Sequence, residues 1–266
     1  RSGTTWLQDI MGTLGDAEIW EEPFVGNLFG RFYYEWAQEG QLRARNFILG
    51  EPVRAAWTRG IRRFVLEVSK GRFPMIDEHK EVIVKEPSGS IGAPLLLQAL
   101  PESKVVLLIR DPRDVAASYL DASHKGAWLY NRRSGGWIKD SELADRDPDE
   151  FVRRIAEEYV LHVGNAREAY DTHDGPKALV RYEDLTADTV GTVEKMYARL
   201  GITVDGEEIE QAVKQHSWEN IPGEEKGSGK FYRKGKAGSW REDLSPGQVK
   251  IVEEATAPLL KEFYPE

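Results

Sequence analysis

The chain has 266 residues, 40% of them hydrophobic, with 36 Lys and Arg against 45 Asp and Glu and a net charge of −9. An acidic balance of this size disfavours duplex nucleic acid and heavily sulfated polymers as partners, because like charges repel. The absence of cysteine excludes disulfides and thiolate metal sites and suits a reducing cytoplasm, and no apolar run is long enough for a membrane span.

The length suits one α/β domain with a sizeable core. Arg1-Ser2-Gly3-Thr4-Thr5-Trp6 comes first, ahead of apolar residues at helical spacing (Trp6, Leu7, Ile10, Met11, Leu14) that predict a helix from Thr4 to Leu14. Free N–H groups at a helix start, a glycine that admits close approach and the Arg1 charge form an anion cradle. The same residues also suit an ordinary N-capped helix. A phosphate loop of this type follows a buried strand, so a first strand is expected upstream of residue 1. Ala17 to Trp20 reads as extended. Residues 24–72, rich in aromatics and arginine, read as two helices divided near Gly50-Glu51-Pro52. Glu81 to Lys85 is a strand candidate, ended by Glu86-Pro87-Ser88-Gly89, and Ile91 to Leu100 is a helix. Lys104 to Ile109 is continuous, branched and apolar, as in a parallel sheet covered on both faces. Asp111-Pro112 starts the next helix, and the polar stretch from His124 to Pro148 reads as a long loop or lid. A helix from Pro148 to Tyr170 leads into a strand, Ala178 to Arg181, and then into helices over 188–200 and 206–216. Ser217 to Trp240 reads as a loop and Pro246 to Phe263 as the last helix. Strands alternating with helices predict parallel βαβ units. The expected fold is a single three-layer α/β domain over residues 1–266, with a central parallel sheet of about four to five strands, P-loop nucleotide-kinase-like.

Two later segments add to the opening loop. Arg110 stands at the carboxyl end of the Lys104–Ile109 strand, where open α/β sheets bind ligands, and Ser118 follows in the next helix. A guanidinium fork and a hydroxyl suit a terminal phosphate dianion, although Asp111 and Asp114 are also available as ion-pair partners for Arg110. Phe231-Tyr232-Arg233-Lys234-Gly235-Lys236-Ala237-Gly238-Ser239-Trp240 joins glycines to adjacent cations. It reads as a solvated surface loop or as a basic strap that closes over an anion, and its composition predicts ordering when a nucleotide arrives.

Together these segments resemble the cytosolic and carbohydrate sulfotransferases, which bind 3′-phosphoadenosine 5′-phosphosulfate (PAPS). Arg1-Ser2-Gly3-Thr4-Thr5-Trp6 is similar to their 5′-phosphosulfate loop, with Arg1 where the family usually has Lys. Arg110 and Ser118 resemble the 3′-phosphate pair, Arg233-Lys234-Gly235 the C-terminal RKG strap, and Tyr182-Glu183-Asp184-Leu185 the segment whose Tyr approaches adenine. The resemblance implies that Trp6 and Trp218 flank the adenine, although Trp218 equally suits core packing. It implies that Arg110, Ser118 and Arg233 hold the 3′-phosphate. It also implies in-line sulfonate transfer to an acceptor hydroxyl, releasing 3′-phosphoadenosine 5′-phosphate (PAP), with no metal required.

The base is less plain. Phenol and steroid sulfotransferases carry a His in a K-x-H motif, where this chain has Lys85-Glu86-Pro87; His79, the nearest histidine, reads as a loop residue. Glycosaminoglycan-type members use a Glu past the first crossover, and Glu21-Glu22-Pro23-Phe24 stands in a comparable position. Their K-x-P segment resembles Lys85-Glu86-Pro87. The resemblance thus implies Glu22 as general base and Lys85 as stabiliser of the leaving bridging oxygen, with Glu86 as the alternative base. A carboxylate needs burial or an apolar wall to approach working pH, and Trp20, Phe24 and Phe29 are candidates for that wall. Both glutamates also suit plain helix-start positions.

The acceptor, a small-molecule, lipid or carbohydrate alcohol, is expected between residues 24–72 and the 124–148 loop. Arg31, Arg43, Arg45, Arg54, Arg59, Arg62 and Arg63 either bind it or solvate helices. His124 is a further lining candidate, and His162 reads as structural. Two rival readings stand beside this one. A Mg²⁺-dependent P-loop kinase wants a Lys before its loop-ending Ser/Thr and a metal-binding Asp at the strand end, and Thr4-Thr5 and Arg110 offer neither. A nucleotide-binding module without chemistry is the other. The oligomeric state stays open.

Overall fold

The computed structural model of the protein describes residues 2–14, 17–37, 47–76, 80–131 and 142–265. Arg1, Arg43, Arg45 and His79 lie outside the described residues. The first half runs α1 (Thr4–Thr13), β1 (Ala17–Glu21), α2 (Val25–Ala37), α3 (Arg54–Arg72), β2 (Glu81–Lys85), a 3₁₀ turn (Ser88–Gly92), α4 (Ala93–Ala99) and β3 (Val105–Ile109). The second half runs α5 (Pro112–Ser123), α6 (Trp128–Asn131), α7 (Leu143–Arg146), α8 (Pro148–Thr172), β4 (Lys177–Arg181), α9 (Tyr182–Ala187), α10 (Thr189–Arg199), α11 (Gly206–Gln215), α12 (Trp240–Asp243) and α13 (Pro246–Phe263).

The strands are parallel, as expected; a single sheet of four to five strands is not seen among the described residues. Among the described residues β1 pairs with β2 (Ala17↔Glu81 to Glu21↔Lys85) and β3 with β4 (Val105↔Lys177 to Ile109↔Arg181), as two separate two-stranded sheets. What spans both pairs is α1. It touches β1 and β2, while Leu7 and Ile10 share a core with Val180 of β4, Val193 and Met196, against which Val106 and Leu108 of β3 pack. Side chains buried this completely contribute roughly 1.5–3 kcal/mol each relative to exposure. The first helix is therefore fixed from behind by apolar packing, which holds its N-terminus at the carboxyl ends of the strands.

A second core joins α5, α8 and α13 through Val115, Leu120, Phe151, Val152, Ile155 and Val252. The α8 residues recur at the three-to-four spacing of one helix face. Helix starts in this half carry their own carboxylate caps: Asp111 accepts from the Arg113 N–H at 2.8 Å and Asp147 from the Glu150 N–H at 3.1 Å, each followed by proline. Ser245 and Gln248 close a reciprocal capping box at α13. The 124–148 stretch is less irregular than its composition predicts. It contains α6 and α7, because Ala127, Leu143 and Ala144 find buried places; residues 132–141 lie outside the described residues.

Candidate active site

Parallel pairing brings the functional side chains together at strand ends. Ile109 is in register with Arg181, so the next residues, Arg110 and Tyr182, emerge side by side. The Arg110 guanidinium lies 4.2 Å from the Tyr182 ring centroid. Glu183 ties the two chain reversals, accepting the Asp111 N–H at 3.0 Å, and the Tyr159 hydroxyl donates to the Arg110 carbonyl at 2.7 Å. The other pair repeats the logic: Glu21 is in register with Lys85, and the Glu22 N–H extends the ladder by donating to the Lys85 carbonyl at 2.8 Å.

The start of α1 differs from the capped helices. Its N-cap is Gly3, in the left-handed region at φ 86°, and no side chain caps it. A Cβ at Gly3 would come within 2.5 Å of the Tyr182 ring, so glycine is required by backbone conformation and by close approach alike. A helix N-terminus of this kind, with Thr4 and Thr5 on a cavity wall, presents N–H donors and a positive dipole end to an anion. Trp6 is held in place by its indole N–H donating to the His216 carbonyl at 2.8 Å, and its ring meets Tyr182 edge-on.

The segment read as a strap is held down by its own contacts. Asp114, fully buried, accepts from the Gly238 N–H at 2.7 Å and the Trp240 N–H at 2.9 Å, and stands 3.5 Å from Arg110. Asp111 pairs instead with Arg113 at 2.8 Å. Arg233 donates to Asp243 at 2.7 Å and to Ser239 at 2.8 Å, and Lys234 to Asp243 at 2.7 Å. Gly235, at φ 61°, lies so close to the Trp218 ring that a Cβ there would overlap it. The segment is thus pinned to α5 by a buried carboxylate, a contact its glycine-rich composition does not reveal.

One cavity of about 900 Å³ collects these groups. Its cationic side carries Gly3, Thr4, Thr5 and Trp6 with Arg110, Ser118, Tyr182 and Trp218, and with Arg233, Lys234 and Gly235 of the strap. Its other side carries Glu22, Phe24, Trp128, Tyr130, Phe231 and Tyr232. Ser2 is not on the wall.

Of the three residues proposed for proton transfer and charge stabilisation, only Glu22 lines the cavity. It sits at φ 45° and Phe24 at φ 59°, a left-handed conformation that costs a non-glycine residue about 1–3 kcal/mol and clusters at functional sites. Lys85 is buried beneath it and donates to Glu21 at 2.9 Å and to Glu22 at 3.0 Å. Its ammonium is thus committed to carboxylates rather than placed on the wall. Glu86 points to the start of α2, where its carboxylate accepts the Gly26 N–H at 3.0 Å. Burial pushes the Glu86 carboxyl up to about 7, against the pull of the Gly26, Asn27 and Val25 N–H groups, and the Glu22 charge adds to the rise. Its geometry is that of a helix cap.

Among the arginines of residues 24–72, Arg54 pairs with Glu51 and Arg62 with Glu102, and among the described residues of that region only Phe24 reaches the cavity. His124 pairs with Asp145 at 2.7 Å away from the wall; His162 is buried in α8, 2.9 Å from the Ser90 hydroxyl. Sequence reasoning missed Asp9, a wall residue whose carboxyl burial pushes up. It also missed the aromatic series Trp128–Phe231–Tyr232, with ring centroids 5.2 Å and 5.0 Å apart. No local pattern links positions so far apart along the chain. Asp114 was visible only as a partner for Arg110.

The sequence matches the family model described as "Sulfotransferase domain" over residues 1–264. It is 23% identical over 309 residues to Cytosolic sulfotransferase 17 of Arabidopsis thaliana, covering 92% of this chain and 86% of that protein. A shorter match, 28% over 147 residues, covers 55% of this chain and 34% of Omega-hydroxy-beta-dihydromenaquinone-9 sulfotransferase Stf3 of Mycobacterium bovis. In fold the chain is similar to mouse sulfotransferase SULT7A1, whose crystal structure is complexed with PAP, at a TM-score of 0.57 and 18% identity over 98% of this chain and 85% of that one. The whole-length family match sets the chain among the sulfotransferases, enzymes that transfer a sulfonate group.

Proposed function

We propose that this sulfotransferase takes its sulfonate from PAPS and passes it to an acceptor hydroxyl, with Glu22 as general base. The observation that carries the reading is that a single cavity joins two anion sites to Glu22, the one of its three wall carboxylates (with Asp9 and Glu225) that has a buried lysine beneath it. The donor set fits the cofactor: an uncapped helix start at Gly3 for the 5′-phosphosulfate, and Arg110, Ser118 and Arg233 on the same wall for the 3′-phosphate. PAPS supplies the sulfonate and leaves as PAP, the ligand in the structure of the mouse relative. In this reading Trp6 and Trp218 flank the adenine, and Gly235 lets the strap lie against Trp218. Arg1, Thr4, Thr5, Lys234 and Tyr182 complete the contacts.

Glu22 takes the acceptor's proton at its carboxylate. Lys85, donating to that carboxylate, acts as a positioning residue for Glu22 and a buried positive charge behind the reacting centre. Glu86 fixes the N-terminus of α2 and so places Phe24. No metal enters the scheme, and turnover should be insensitive to EDTA. The two strand pairs are read as parts of one sheet in a single domain, with α1 packed across both.

The test is labelled-sulfonate transfer beside calorimetric titration with PAP. Glu22→Gln should cut kcat by about 10²–10⁴-fold, the usual worth of a general base, and leave PAP affinity within about twofold. Lys85→Met should lower kcat at unchanged PAP affinity and shift the pH profile. Unchanged turnover in Glu22→Gln would remove the assignment.

A further inference from the structure

Helix α2 is fixed by one face and carries a half-exposed apolar stripe on the other, where Phe32 also meets Phe47 with ring centroids 5.7 Å apart. Gly26 and Gly30 press so closely on the backbone of Gly89 and Gly92 that a Cβ at either would overlap it. That contact sets the helix's rotation. On the opposite side Leu28 (56% exposed), Phe32 (41%) and Trp36 (42%) stand at four-residue spacing, one stripe along the helix. The stripe begins at Phe24, which is 49% exposed and also lines the cavity. Singly exposed apolar residues need no explanation, but a contiguous run leading out of a binding cavity marks a ligand track.

The cavity behind Phe24 has matching chemistry. Phe24 shares the wall with the aromatic series of Trp128, Phe231 and Tyr232. Asp9, Glu22 and Glu225 stand on the cavity wall, and the charges of Asp9, Glu225 and Glu21 help hold the Tyr232 hydroxyl above its usual pKa; the cations are Arg110, those of the strap, and Lys226, which lies over the Trp218 ring. An anionic acceptor would meet like charge there.

We infer that the acceptor is a neutral alcohol with a long apolar tail, its hydroxyl at Glu22 and its tail leaving the cavity over Phe24 along Leu28, Phe32 and Trp36. This rests on the reading of the cavity as the sulfonate-transfer site. The transfer balances with the residues named: the acceptor oxygen forms the new S–O bond, the bridging S–O bond to PAP breaks, and the acceptor's proton passes to Glu22.

Labelled transfer from PAPS to straight-chain primary alcohols, ethanol through decanol, tests it. In the wild type kcat/KM should climb with chain length by roughly twofold per methylene, about half the selectivity of full burial because the stripe is open on one side. Leu28→Glu and Phe32→Glu, both at exposed positions, should flatten the climb for the longer alcohols by about tenfold or more while leaving butanol turnover and PAP affinity unchanged. The milder Leu28→Ala should give an intermediate slope. A flat wild-type series with good butanol turnover would overturn the tail track alone. So would a wild-type dimer dissociated by the stripe variants on size-exclusion chromatography, because a second copy then covers the stripe. Failure of PAP binding and of transfer to every alcohol would instead remove the underlying assignment of the cavity.

Discussion

The two ends of the cavity are built on different principles. At the cationic end, position is set by backbone and by buried polar contacts: Gly3 against Tyr182, Gly235 against Trp218, and Asp114 clasping the Gly238 and Trp240 N–H groups. At the other end, position is set by two left-handed non-glycine residues, Glu22 and Phe24, and by aromatic rings of α6 and of the first residues of the strap, Phe231 and Tyr232. The first arrangement is rigid and charge-satisfied, as a site for one invariant nucleotide needs. The second is strained, apolar and open outward, as a site for a variable acceptor allows. The contrast teaches that donor binding and acceptor choice should be separable by mutation.

The strongest way to break that separation is at Asp114. Asp114→Ala takes a buried carboxylate from beside Arg110 and leaves the Gly238 and Trp240 N–H groups without that acceptor. The expected cost is about 3–5 kcal/mol, read as a Tm lower by roughly 10 °C. A Tm within about 2 °C of wild type would mean that the strap is not pinned there. Next comes Arg110→Ala, which removes a charge-assisted partner worth about 1.5–3 kcal/mol. PAP affinity by calorimetry should fall about 10–150-fold, with no change in relative preference among acceptors. A change of acceptor preference at constant PAP affinity would contradict the division into two ends.

Glu86 gives a smaller, pH-dependent effect. Its carboxyl, usually near 4.5, is pushed up to about 7 by burial. Between those values the folded protein holds a proton that the unfolded chain has released. Its stabilising contribution is therefore present below about pH 4.5 and lost as pH rises through 7. Relative to wild type, Glu86→Gln should gain on the order of 1–3 kcal/mol between pH 5 and pH 8 in denaturant titrations. A parallel pair of pH–stability curves would count against the buried-cap reading. The smallest effect concerns the strap. Because it is held by Asp114, Asp243 and Ser239, PAP should slow tryptic cleavage between Lys226 and Arg241 by no more than roughly twofold. Strong protection would restore the picture of a segment ordered by ligand.

Legibility in the sequence follows the same division. Gly3, Arg110, Ser118, Tyr182 and Arg233 occur in short segments whose chemistry is local, a glycine before a helix or a cation at a strand end, and all of them meet in the cavity. Most helices and all four strands were likewise visible as periodicity or continuous apolar runs. What was not visible depends on side-chain direction and on distant packing. Glu22 and Glu86 look alike as acids beside proline, and only the backbone conformation at Glu22 turns one to the cavity and the other to α2. The sheet was expected as one piece, whereas the described strands pair two by two, with α1 packed across both pairs and Lys104 paired with Glu81 between them. Trp128 and Phe231 carry no shared pattern, and the exposed stripe on α2 shows its meaning only once Gly26 and Gly30 are seen to lock the opposite face.

The most direct test of the account is a paired measurement on wild type and Glu22→Gln: PAP titration by calorimetry and single-turnover transfer of labelled sulfonate from PAPS to a primary alcohol. The account predicts PAP affinities within about twofold of each other and a transfer rate lower by about 10²–10⁴ in the variant. Equal transfer rates, or loss of PAP binding together with transfer, would contradict it.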